Sequence, residues 1–158
     1  MNLTPANPAN KDSKYTSLNN SKTKSKNIFI ALAVTIIIVV LFNLYQYQPE
    51  KINLKENQLE ISGVYGFPIN YQQIALIDTL SQMPEIEMRT NGFALGKVCK
   101  GNFKLKKTGS AILFINYNVS TFVHIKLKNG QLIYINLDNR KSTIDMFDKI
   151  KSLTTQTH

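Results

Sequence analysis

From Ile28 to Leu44 the chain runs through 17 residues without a charge. A helix rises about 1.5 Å per residue, so roughly 20 such residues cross the ~30 Å hydrocarbon layer of a bilayer. No other stretch could span a membrane. A segment this apolar on every side, in a chain too short to wrap it in a core, is not the amphipathic helix of a soluble protein. The sequence therefore predicts a transmembrane helix over residues 28–47, with one folded domain after it. A cleaved signal peptide is the alternative, but Asn43-Leu44-Tyr45-Gln46-Tyr47 offers no small-x-small cleavage site.

The flanks orient the helix. Before it stand Lys11, Lys14, Lys22, Lys24 and Lys26, with Asp12 the only acid; after it come Tyr45, Tyr47, Pro49, Glu50 and Lys51. Basic flanks stay cytoplasmic, and tyrosines suit the far interface. This places the N-terminus inside and the C-terminal domain outside, in the cell membrane. Residues 1–27 are rich in Asn, Ser, Lys and Thr and bury too little to offset ordering entropy, so they read as a disordered basic tail. Residues 48–57 read as a linker with a first strand, and 58–154 as the domain.

That domain alternates in short runs between turn signals. Gln58–Ser62, Ile69–Ile77, Glu85–Thr90, Phe103–Lys107, Ala111–Tyr117, Thr121–Lys128 and Gln131–Leu137 read as strands. Asn91-Gly92 and Asn129-Gly130 are hairpin signals. A two-residue loop at Asn129-Gly130 would pair Leu127 with Leu132 and Ile125 with Tyr134, and a one-residue change in loop length would swap the faces. The closing segment from Arg140 to Leu153 has helical spacing, with Ile144, Phe147, Ile150 and Leu153 as its stripe and Ser142 with Asp145 as a capping pair. The fold class expected is mostly β, an antiparallel sandwich or partly open barrel with one C-terminal α-helix.

Arg89-Thr90-Asn91-Gly92-Phe93-Ala94-Leu95-Gly96, the glycine at 101, Phe103–Lys106, Ile133–Asn136 and the closing helix together resemble the bacterial pleckstrin-homology-like domains, over about Gln58 to Leu153. The resemblance implies a membrane-anchored, non-catalytic module for binding or assembly. Lipid-binding pleckstrin domains carry basic residues in the loop between the first two strands. Here that loop, Gly63–Pro68, has none.

Chemistry-bearing residues are sparse. The single cysteine, Cys99, permits no intramolecular disulfide, and His124 and His158 form no metal-ligand spacing. No cofactor is expected. Cys99 with His124 is the one nucleophile–base pair that could be drawn, for a small envelope enzyme. Another alternative is a structural subunit of a membrane complex. Between Met88 and Leu137 stand eight basic residues and no acid. Lys97, Lys100, Lys104, Lys106, Lys107, Lys126 and Lys128 are the candidate contact patch, for anionic lipid head groups or an acidic membrane partner. Nucleic acid is not expected, because no aromatic stacking platform accompanies the lysines.

Overall fold

The apolar run and its flank form a single helix. In the computed structural model, which describes residues 9–48 and 50–156, α1 extends over Ala9–Tyr47. Its stretch Lys26–Tyr45 has a mean hydropathy of 2.8, none of it is buried, and it is long and apolar enough to cross a membrane. From Ala9 to Asn27 the backbone is helical, where composition predicts a disordered tail. Once the apolar segment supplies a nucleus, each further residue gains a hydrogen bond at little cost. Residues 1–8 of that tail lie outside the described residues. The chain divides into two units, Met1–Tyr45 and Gln46–His158.

Among the described residues, the second unit holds nine strands and a helix. A small sheet has the order β1 (Ile52–Leu54), β2 (Gln58–Ile61), β3 (Pro68–Asn70). After a 3-10 turn at Tyr71–Gln73, whose entry Asn70 caps through Gln72 N, come β4 (Ile74–Leu80), β5 (Ile86–Leu95), β6 (Val98–Leu105), β7 (Gly109–Asn116), β8 (Phe122–Leu127) and β9 (Leu132–Ile135). These six form the second sheet in the order β4-β8-β9-β7-β6-β5. The closing helix, α2, covers Arg140–Gln156.

The larger sheet is mixed, not purely antiparallel: β9 lies between its two predecessors and runs parallel to β7. Burial on both faces explains the continuous apolar runs Ala111–Ile115 and Leu132–Ile135. Ile112, Phe114, Val123, Ile125, Ile133 and Ile135 face a core completed by the small sheet and α2. Cys99, Phe103, Leu105, Leu113, Ile115, Phe122 and Tyr134 face a second core, which Leu80, Met83 and Ile86 help close. The link 81–85 joins the two outer strands of this sheet. Flat, six strands would put those edges about 24 Å apart, at ~4.8 Å per neighbour, whereas the link reaches only ~21 Å at full extension. The sheet must curl, which brings Leu80, Met83 and Ile86 onto the second core.

Two turns differ from the sequence reading. At Asn129-Gly130 the loop has three residues: Gly130 N–H donates to Leu127 O, Leu127 N–H donates to Gln131 O, and Gly130 has φ +89°. Ile125 therefore pairs with Ile133 and His124 with Tyr134. The extra residue sends Leu132 and Tyr134 to the face of His124 and Lys126, and Ile133 and Ile135 to the face of Val123 and Ile125. Asn91-Gly92 is no turn. β5 runs through it, with an irregular register between Arg89 and Asn91, and reverses at Gly96-Lys97 so that Leu95 pairs with Val98. Gly96, at φ +58°, supplies the positive angle this two-residue reversal needs. Gly92 instead opposes Gly101 across β5 and β6, where a Cβ on Gly92 would collide with the backbone oxygen of Lys100.

Helix α2 is capped by Asn139, not Ser142: Asn139 Oδ1 accepts from Ser142 N at 2.8 Å. The buried stripe is accordingly Thr143, Met146 and Ile150, with Phe147 and Leu153 beside it and Ile144 only partly covered.

Asn136 ties the crossover from β7 to β8. Its Nδ2 donates to Asn116 O (2.9 Å) and Val119 O (3.1 Å), and its Oδ1 accepts from Asn116 N (2.7 Å). Replacing it by Ala leaves three backbone groups without these partners at a buried position. Asn136→Ala should lose roughly 2–4 kcal/mol of stability in denaturant unfolding of the full chain in detergent micelles. A loss within 0.5 kcal/mol, on the order seen for ordinary surface changes, would mean that the crossover does not need this side chain.

Candidate functional site

The seven candidate lysines do not share one surface. Lys97 lies in the β5–β6 turn and Lys107 in the β6–β7 turn, so the length of β6, roughly 30 Å, separates them. Lys104 stands on the sheet face of Ile112, whereas Lys126 stands on the opposite face with His124 and Tyr134. Lys128 sits at the β8–β9 turn, its amide bonded to Gln73 O. Two are already paired with acids: Lys104 Nζ lies 3.0 Å from Glu87 Oε1, and Lys106 Nζ lies 2.6 Å from Glu85 Oε1. The antiparallel β5–β6 hairpin sets Glu85 and Glu87 across from these lysines. Alternation in both segments signalled this, but a turn placed at Asn91-Gly92 hid it. Both pairs are exposed and add little stability. Of the motif residues, Arg89, Thr90 and Asn91 are exposed on β5, Gly92 and Phe93 are packed inward, and Gly96 makes the turn.

Lys100 departs most from the expected patch. Only 4% of its side chain is exposed. Its ammonium lies 3.1 Å from Glu50 Oε1, itself 10% exposed, and donates to the backbone carbonyl of Gln48. The register explains this: Lys100 pairs with Phe114 on β7 and so points to the face the small sheet covers. Burying an ammonium is tolerable only with a counter-charge and acceptors, and both come from the strap between α1 and β1. Beside it, Gly63, at φ +108°, has no Cβ because the Glu50 carboxylate occupies that space. The strap is fixed further where Ser62 N–H donates to Lys51 O and Ile52 pairs with Ile61.

Next to this ion pair is a cavity of about 320 Å³. Its floor is apolar, made by Val98, Phe114 and Leu137, and Tyr47 and Ile52, at the two ends of the strap, form a wall. Glu50, Lys100 and Asp138 are its charged lining. A concave apolar space with a few converging polar groups, at the lower end of ligand-pocket volumes, is the arrangement that binds small molecules. Nothing in the sequence spacing brings Glu50 to Lys100, so this site was not legible before folding.

The drawn nucleophile pair is not assembled. Cys99 on β6 and His124 on β8 are three strands apart, about 14 Å. Cys99 is buried, and burial pushes its thiol upward, with Arg89 opposing the shift. His124 Nδ1 instead lies 2.9 Å from Asp78 Oδ1 on the neighbouring β4, and its ring stacks on Tyr134 at 4.8 Å. Among the described residues, no group of three or more His, Cys, Asp or Glu is placed to hold a metal ion. Comparison of the chain with protein-family models, with curated proteins and with solved structures finds no match.

Glu50→Gln and Lys100→Met should each cost roughly 3–5 kcal/mol, because each leaves one buried charge unpaired, whereas the double variant should recover most of that loss. A denaturant-unfolding double-mutant cycle on the full chain measures the coupling, and additive losses would show that the two charges do not interact. Cys99 should react with a maleimide at neutral pH only as fast as the domain opens, so that labelling accelerates in step with denaturant-induced unfolding. Rapid labelling of the folded chain would show an accessible, activated thiol.

Proposed function

We propose that this chain is a single-pass membrane protein that carries a non-catalytic binding module of the pleckstrin-homology-like kind. Its N-terminus is cytoplasmic and its β domain lies outside. The observation that carries this reading is the junction: a membrane-length apolar helix ends at Tyr47, and a folded β domain begins at Ile52. An anchor so close to a domain raises the effective concentration of that domain toward anything else in the membrane, so weak contacts suffice. The two packed sheets and the C-terminal helix support the pleckstrin-like reading. The parallel β7–β9 pair departs from an all-antiparallel sandwich. The binding element in this reading is the cavity beside Glu50 and Lys100, in place of a continuous strip of lysines.

Paired reporters fused after His158 test the anchor and its orientation, together with alkaline extraction of the membranes. The expected result is activity of the reporter that works only outside the cytoplasm, with the full-length chain retained in the extracted membrane. A shortened, soluble product would identify the apolar segment as a cleaved signal. Activity of the cytoplasm-only reporter would reverse the orientation.

A further inference from the structure

We infer that the cavity is a site for a small amphiphile with an anionic head, and that this head takes the place of Glu50 on Lys100. The inference rests on the reading of the domain as a binding module and adds the ligand class and a release step. Three observations converge on it. The floor is apolar, which favours a hydrocarbon tail. The charge on the cavity wall that can hold an anion is the Lys100 ammonium, and it is now held by a carboxylate belonging to the strap. That strap is also a wall of the cavity, through Glu50 and through Tyr47 and Ile52 at its two ends.

The exchange is chemically even. A carboxylate or phosphate entering beside Lys100 replaces one anion by another at a buried cation, so no charge is left unpaired inside. Glu50, once displaced, can be hydrated outside, and the strap loses its ionic fastening. The tail then lies against the apolar floor of Val98, Phe114 and Leu137. With each water-sized volume at roughly 30 Å³, the cavity takes about ten heavy atoms, the size of octanoate. Tyr47, which lines the cavity, is three residues past Leu44, the end of the apolar run. The ion pair is thus a latch that an anionic ligand opens.

The test uses the full chain in phosphatidylcholine nanodiscs, titrated with octanoate, octyl phosphate and octanol. Methyl NMR signals of Val98 and Leu137 read occupancy, and amide hydrogen exchange over Ile52–Leu54 reads strap release. Both anions should shift the methyl signals and speed the exchange, and octanol should bind roughly tenfold more weakly or worse, without release. Glu50→Gln removes the competitor, so it should bind either anion about tenfold more tightly. Glu50→Gln combined with Lys100→Met buries no unpaired charge and should lose the preference for anions. Val98→Phe, which fills the floor, should abolish binding of all three compounds.

Equal binding of octanol and octanoate, or an anion preference that survives the double variant, would overturn the exchange while leaving the cavity as a binding element. If no compound moves the Val98 or Leu137 signals, the cavity is not a binding element and the exchange falls with it. Whichever anion binds more tightly identifies the head as carboxylate or phosphate, and either result supports the inference.

Discussion

With Ile133 and Ile135 on one side and Tyr134 on the other, β9 fills the centre of the six-stranded sheet and is buried on both faces. A strand with no wet face must find hydrogen-bonding partners along both edges. It takes β8 on one edge through a hairpin and β7 on the other in parallel. The crossover that this demands is held by the Asn136 carboxamide. The sheet faces that result give the domain its two cores, and the outer strands then curl toward each other around the second. The cavity floor is a product of the same arrangement, since Phe114 and Leu137 come from β7 and from the chain just after β9.

Charge has two different roles here. The pairs Lys104–Glu87, Lys106–Glu85 and Lys55–Glu60 are solvated and contribute at most about 1 kcal/mol each. The first two neutralise lysines of a stretch that is purely basic when read along the chain. Lys100 and Glu50 are different, because almost no water reaches them. Their mutual attraction largely offsets desolvation, and the larger energetic consequence is the cost of separating them. An ion pair of this kind is well suited to a latch, since it is stable closed and exchangeable for a matching anion.

Much of the architecture was legible in local pattern. The apolar run, the alternating strands, the Gly at 130 and the apolar periodicity of α2 each depend on neighbours within a few residues. The reversals were less legible. Asn91-Gly92 has the composition of a hairpin turn and Gly96-Lys97 does not, yet Gly92 is needed for close approach to β6 and Gly96 for its positive φ. The one-residue difference in the loop at Asn129-Gly130 shows how finely register depends on turn geometry: it moved four side chains to opposite faces.

What the sequence determined by itself is therefore a membrane-length helix, a β-rich domain and a closing amphipathic helix, because hydropathy and periodicity act locally. Tertiary structure alone decided the insertion of β9, the scattering of the lysines, and the meeting of Glu50 with Lys100 beside an apolar cavity. Those depend on which strand lies next to which, and strand order is fixed by how two-sided burial and backbone hydrogen bonds are satisfied across the whole sheet. That is a global constraint, and no window of neighbouring residues contains it.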